Sequence, residues 1–310
     1  MRISTSWTQQ LSVNTMLDQQ AKLSNLQMQL STQKKILTPS DNPAGAARVI
    51  DLNQGIQQTE QYQSNINSAR QRLTIEDGVL QGSVDILDRI RELGLQGLNA
   101  TYSPEDRKII ATEMLELKDE LLGLANTRNA NNEYLFSGYK SDVQSFTKNA
   151  LTGGYDYGGD LNQRNIQIST NQQVADGNPG VDVFGTPTGL GPAALVAGSI
   201  DNVFEAIDKF ATNFSSTPNV IDPASLDDIS KALNRISTIQ SSVGVRLNTL
   251  DRLDSFHTDG VLSLKTMLSE TEDVDIADAI SKFTLQKNSL DAAQQAFGTV
   301  KNLSLFNYLR

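Results

Sequence analysis

Residues able to do chemistry are few in this chain and scattered. Among 310 residues there is one histidine, His257, and no cysteine. Thiolate nucleophiles, thiolate zinc sites and disulfide frameworks are therefore excluded. A catalytic triad or a multi-histidine metal site would need other residue types throughout. His257 falls on a seam position of a heptad pattern, where a polar packing residue competes with a proton carrier. The carboxylates of "DYGGD" (156–160) and "TEDVDIADA" (271–279) suggest calcium or paired acid–base chemistry at first sight. The first lacks the ligand spacing of an EF-hand, and the second opens a helix, where acids favour the dipole. Gly153-Gly154 and Gly158-Gly159 are not followed by Gly-Lys-Ser/Thr, so they predict turns and not a phosphate loop. No catalytic residue, cofactor or metal is expected, and an enzyme carried by the glycine-rich region has no motif behind it.

Charge narrows the partners. Lys and Arg number 26 against 36 Asp and Glu, a net charge of −10, which repels a nucleic-acid backbone in the absence of a basic patch. The pair Lys34-Lys35 is too small to be one. The segment "MRISTSWTQQLSVNT" is too polar for the apolar core of a cleavable signal, and no window approaches a membrane span. Neither nucleic-acid binding nor membrane insertion is expected, and export would have to use another route.

Helices must position whatever the chain does. Met16, Leu23, Leu30 and Leu37 stand seven apart with Val13 and Leu26 beside them, while Gln, Ser and Asn fill the other faces. A seam so thin does not hold a helix alone and asks for a partner laid along it. The stretch "KKILTPSDNPAGAARVID" (34–51) ends this helix. Pro39 biases Thr38 out of the helical region, and Asn42 followed by Pro43 is a capping residue with proline at the first helical position. A second helix then runs from about Ala44 to about Asn99 with Leu52, Thr59, Ile66, Leu73, Leu80 and Leu87 in register, roughly 80 Å at 1.5 Å per residue. Gly94 and Gly97 weaken its end. "SPEDR" restarts a third helix, with Ser103 as cap and an apolar face of Ile110, Met114, Leu117, Leu121 and Leu124.

From about Tyr139 to Pro223 the pattern changes. Glycine, proline and aromatic residues rise, and "GGYDYGGDLNQRNIQIST" (153–170) predicts short strands and turns, with Ile166 and Ile168 alternating against polar neighbours. "IDNVFEAIDKFATNF" (200–214) keeps a helical pattern through Ile200, Val203, Ile207 and Phe214, so this module is mixed. Asp222 and Pro223 open a second long helix, with Leu226, Leu233, Leu247, Val261 and Leu268 in one heptad row. Ile229, Ile236, Val243, Leu250 and Leu264 form the other, and Gln240, Asp254 and His257 interrupt the seam. A final helix carries Ile276, Phe283, Leu290 and Phe297 seven apart and leads into "LSLFNYLR".

The order of elements is nearly palindromic. It predicts a mainly α fold with a long antiparallel, coiled-coil-like rod made by both halves of the chain, paired terminal helices and a small β-rich inserted domain. Residues 1–42 and 271–310 would form a terminal helix pair for assembly, 43–138 and 223–270 the rod, and 139–222 a variable outer domain. The breaks at Pro39–Pro43 and Glu272–Asp275 would then lie side by side.

Particular motifs add a resemblance. "PSDNPAGAARV" (39–49), "LANTRNANNEYLFSGYKS" (124–141) and "EDVDIADAISKFTLQKNSLDAAQQAFGTVKNLSLFNYL" (272–309) are similar to segments of the flagellin superfamily, the second to its hook-filament junction branch and the third to the family's C-terminal helix. The resemblance implies a secreted, extracellular structural subunit of the bacterial flagellum, exported unfolded through the type III apparatus. It implies self-assembly as a ring or helical layer, with a hook-associated protein on the hook side and flagellin on the filament side. It also implies a cytoplasmic export chaperone on the C-terminal helix. Flagellin itself is the nearest alternative, and a cytoplasmic coiled-coil adaptor is a rival of another class. The expected assembly stripe is Trp7, Met16, Leu23, Leu30, Leu37, Ile276, Phe283, Leu290 and Phe297, beside the helix break Pro39, Asn42 and Pro43. Trp7 has two readings, packing on the C-terminal helix of its own chain or anchoring a neighbouring subunit.

Overall fold

The computed structural model describes residues 5–150, 153–186, 202–216 and 223–302; Ile200, Asp222 and the closing "LSLFNYLR" lie outside them. The fold is mainly α. Helices α1 (Thr5–Thr32), α2 (Pro43–Leu98) and α3 (Pro104–Ala125) come first. Strands β1 (Phe146–Lys148), β2 (Tyr155–Tyr157), β3 (Asn165–Ser169) and β4 (Gln172–Ala175) follow. The short α4 (Gly180–Phe184), then α5 (Val203–Ser215), α6 (Pro223–Glu272) and α7 (Ile276–Asn302) complete the order. The chain divides into two compact units, residues 60–258 and the pair of segments 1–59 and 259–310.

Within the 60–258 unit, α2 and α6 run antiparallel. Gln63 bonds Thr258, Arg70 bonds Asp251 and Gln81 bonds Gln240, each at 3.0 Å, so every step up α2 is matched by a step down α6. The heptad leucines predict the contact face well: Ile66, Leu73, Leu80 and Leu87 are fully buried, as are Ile229, Ile236, Val243 and Leu250 of α6. Arg89 Nη2 donates to Glu113 at 2.7 Å, and Arg107 Nε donates to the Gly97 carbonyl at 2.8 Å, laying α3 antiparallel to α2. Arg107 thereby caps carbonyls that the end of α2 would otherwise leave unpaired. Ser103 and Asp106 form a capping box at the start of α3.

α2 continues through Gly94 and Gly97 to Leu98 in spite of their low helix propensity. They make room. A Cβ at Gly94 would stand 2.5 Å from Phe210, and one at Gly97 would run into Phe214, so the bare backbone of α2 is the seat for two α5 rings. Behind them, Lys118 Nζ of α3 donates to Asp208 of α5 at 2.8 Å, and the Tyr155 hydroxyl donates to the same carboxylate at 3.2 Å. Burial alone would lower the Lys118 pKa, but its contacts with Asp208 and Tyr155 outweigh that and raise it, so the ammonium stays charged.

The β-rich part of this unit is two antiparallel hairpins, β1 with β2 and β3 with β4. Ile168 is fully buried, as the alternation in β3 predicts. Asn65 of α2 donates to the Gln167 carbonyl at 2.7 Å, and His257 of α6 lies 2.8 Å from the Ile168 carbonyl. A carbonyl only accepts, so Nε2 of His257 carries the proton. Sitting seven residues after Leu250 in the buried row, His257 fastens β3 to the helix; the polar seam position is a structural clasp.

Candidate assembly surface

The unit formed by residues 1–59 and 259–310 is built on α1 and α7, with the two chain breaks between helices beside each other. α1 ends at Thr32, earlier than the heptad row suggests, because Gln33 adopts a left-handed conformation with φ 60°. The next residues pair with the other break. Lys35 N–H donates to the Glu272 carbonyl at 2.6 Å, Val274 N–H donates to the Gln33 carbonyl at 2.9 Å, and Lys34 Nζ meets Glu272 Oε1 at 2.6 Å.

Each break is then locked by an acid or amide cap. The Asp41 carboxylate accepts from the backbone of Thr38 at 2.8 Å and Leu37 at 3.1 Å, and these bonds hold its pKa below the usual value. Asn42 Oδ1 accepts from Gly45 N–H at 3.0 Å, capping α2 ahead of Pro43. Gly45 also leaves space for a side chain. A Cβ there would lie 2.6 Å from Ile36 Cδ1, so the buried Ile36 packs on bare backbone. Asp275 Oδ1 accepts from Ala277 and Asp278 N–H at 2.9 and 3.2 Å and caps α7. Of the carboxylates in "TEDVDIADA", Glu272 pairs with Lys34, Asp275 caps α7 and Asp278 pairs with Lys282, and no group of acidic or histidine side chains fit to hold a metal occurs among the described residues.

Pairing of the breaks makes α1 and α7 antiparallel, and Gln286 reaches the Gln19 carbonyl at 3.5 Å partway along. On the seam, Met16, Leu23, Leu30, Phe283 and Phe297 are half-buried, while Ala279 and Leu290 are buried. Leu37 lies beyond the end of α1 and is half-buried; Ile276, in the first turn of α7, is 48% exposed. Pro39, Asn42 and Pro43 are all at the surface. Trp7 is 63% exposed, so the α7 helix of its own chain covers little of it.

No residue of α1 is buried among those described, whereas the α2 stretch of the other unit is studded with fully buried leucines. Moreover, α1 has a second apolar set, of which the expected stripe took in only Trp7 and grouped it with Met16, Leu23 and Leu30. Trp7, Leu11, Leu17 and Met28 are all exposed. At roughly 100° per residue they turn to the far side of the helix from Met16, Leu23 and Leu30. On α7, Leu285 at 74% exposure likewise faces away from Leu290. The signal was available in the sequence as apolar residues off the heptad, but only the burial of the seam separates the two faces.

The chain is similar to known proteins along its length. The bacterial flagellin N-terminal helical region matches residues 3–141. The flagellar hook-associated protein 3 of Escherichia coli K12 is 29% identical over 317 residues, covering 99% of both chains. Its counterpart from Salmonella typhimurium LT2 is also 29% identical, over 321 residues and the full length of both. Among solved structures, flagellar hook-associated protein-3 of Legionella pneumophila superposes with a TM-score of 0.63 at 24% identity. That match covers 71% of this chain and 97% of the other.

Proposed function

We propose, from the premise that this chain belongs to the flagellin superfamily, that it is the structural subunit of the bacterial flagellum that forms the layer joining hook to filament. It works by polymerising and carries out no reaction. The carrying observation is the unfinished terminal unit: two long helices share a half-exposed seam, and α1 presents Trp7, Leu11, Leu17 and Met28 to solvent on its other side. Similarity running end to end with hook-associated protein 3 supports the junction reading over flagellin.

In this reading residues 1–42 and 271–310 are the assembly domain. The stripe of Met16, Leu23, Leu30, Phe283, Leu290 and Phe297 closes the pair within one copy, and the outward residues of α1, Trp7 among them, are covered by the next copy. Folding is completed by assembly, as expected when a segment's own apolar contacts fall short of the ordering entropy. A head-to-tail contact repeated around an axis gives a ring or a helical layer. Residues 43–138 with 223–270 serve as the rod, and 139–222 as the variable outer domain. The neighbours are a hook-associated protein on one side and flagellin on the other, reached after export from the cell, with a chaperone holding the C-terminal helix beforehand.

The test is electron microscopy of gold-labelled protein on isolated flagella, together with deletion of its gene. Label confined to the point where hook meets filament, and a deletion strain with intact hooks that sheds flagellin into the medium, is the expected result. Label along the whole filament would instead make the chain a flagellin, and retention inside the cell would make it a cytoplasmic adaptor.

A further inference from the structure

Arg72 is a charge that the assembly reading does not use. It stands on the buried face of α2 at 5% exposure, and its side chain reaches the loop that follows β4. A guanidinium so enclosed has five N–H groups to satisfy, and each one left over costs folding free energy. Nη2 donates to the Leu135 and Tyr134 carbonyls at 3.0 and 3.3 Å, and Nη1 donates to Glu133 at 3.3 Å. Nε, itself buried, finds no acceptor in the protein.

What faces that N–H is the bare backbone of Gly177. A Cβ there would lie 3.2 Å from Arg72 Nε and 3.8 Å from Nη2, so the missing side chain leaves a seat along this edge of the guanidinium. The seat belongs to a cleft lined by Arg72, Arg164, Asp176 and Gly177, with Gly138 and Asn162. Its volume of about 10 Å³ takes one group of roughly the size of a water. The carboxylates beside it are already engaged. Arg164 Nε reaches the two Asp176 oxygens at 3.0 and 2.9 Å and its Nη2 reaches one of them at 2.6 Å. Glu133 accepts from Asn129 Nδ2 at 2.7 Å as well as from Arg72, and Glu76 accepts from Asn178 Nδ2 at 2.7 Å. Two guanidiniums thus share the walls of one cleft. Burial is the main influence lowering the Arg72 pKa and the like charge of Arg164 is the next; Asp176, Glu133 and Glu76 act the other way without offsetting both.

We propose that this cleft is a halide site: a chloride-class anion accepts the Arg72 Nε–H and sits between the Arg72 and Arg164 guanidiniums, on the bare backbone of Gly177. The groups left over select the ligand. A buried N–H and two like positive charges ask for an acceptor that is also an anion, which rules against a cation. A water would accept the N–H but leave the repulsion between the guanidiniums as it is. Sulfate and phosphate, with four oxygens around a central atom, exceed the seat. The net charge of −10 repels anions from the surface at large, so halide binding here depends on the built seat. The bound ion joins the loop after β4 to α2, and its occupancy stabilises the 60–258 unit by mass action.

Chloride NMR of the full chain tests this. Exchange with a seated ion broadens the line of free chloride, and bromide at equal ionic strength should narrow it by competition, whereas gluconate, too large for the seat, should not. Gly177→Ala puts a methyl into the seat without changing a charge, at a backbone that is not left-handed. It should weaken halide binding about tenfold or more, the loss expected for one hydrogen bond to a charged group. The melting midpoint of the wild type should rise with the logarithm of chloride concentration above its value in matched gluconate, and the variant should lose that difference. Crystals of the unmodified protein soaked in bromide give a readout independent of how the variant folds: an anomalous peak beside Arg72 Nε and Gly177. Equal chloride broadening in both proteins, melting that does not distinguish chloride from gluconate, or a water at the seat with bromide only elsewhere would each overturn the proposal.

Discussion

Replacing Leu17 by Ser separates the two faces of α1. Leu17 is 58% exposed, so it contributes little to the folded monomer, and a surface change of this kind shifts stability by no more than about 0.5 kcal/mol. If a neighbouring copy covers the rest of it, the lost burial is a little over half of the roughly 1.5–3 kcal/mol that a leucine side chain is worth, or about 1–2 kcal/mol per contact. That weakens association by about 5- to 30-fold. Leu290→Ala is the contrasting change. Leu290 is 8% exposed on the seam of α7, and truncating a buried leucine costs about 2–5 kcal/mol, so this variant should lose helicity in the monomer. The assay is paired: thermal melting by circular dichroism for the monomer, and pelleting with flagella from a strain lacking the gene for assembly. Leu17→Ser should melt as wild type and pellet poorly. The reasoning fails if Leu17→Ser melts as early as Leu290→Ala, or if it pellets as well as the wild type.

Other changes probe single contacts. Gly94→Ala drives a methyl into Phe210; overpacking of about 1–3 kcal/mol should exceed the roughly 1 kcal/mol gained in helix propensity, and Phe210→Leu should restore part of the loss in urea unfolding. Lys118→Met leaves Asp208 without its ammonium. Because Asp208 keeps 28% side-chain exposure, the loss should lie near the lower end of the roughly 3–5 kcal/mol range for a broken buried pair, read from the urea midpoint. Asn42→Ala removes the cap of α2 and should cost about 1 kcal/mol, seen as faster exchange of the Gly45 and Ala46 amides, while Asn42→Asp should preserve it.

The long helices were legible because one apolar period governs them. Leu52, Thr59, Ile66, Leu73, Leu80 and Leu87 repeat without a slip, and all but the half-buried Thr59 are buried. The break was legible for a different reason, since Asn42-Pro43 and Asp275 follow capping chemistry that acts over three or four residues. What could not be read depends on partners far away in the chain. Gly94 resembles a weak helix end until Phe210 is seen resting on it. Glu76 falls three residues after Leu73 on the buried face, and only the return of the chain at Asn178 shows which group it pairs with. At the terminal helices the heptad row located the seam but stopped short of the second face, because Leu11 and Leu17 fall off the period of Trp7 and Met28, and Asn14 and Ala21 stand at the heptad positions between those two. Leu37 is the converse case: the row continues to it in sequence, while the left-handed turn at Gln33 ends the helix first.

The central claim is that neighbouring copies complete the terminal unit, and hydrogen exchange on the dilute monomer and on the assembled layer tests it most directly. Amides of α1 and α7 should exchange far faster in the monomer than those of α2 between Ile66 and Ile90, then become protected on assembly. Terminal helices protected to the same degree in both states would contradict it.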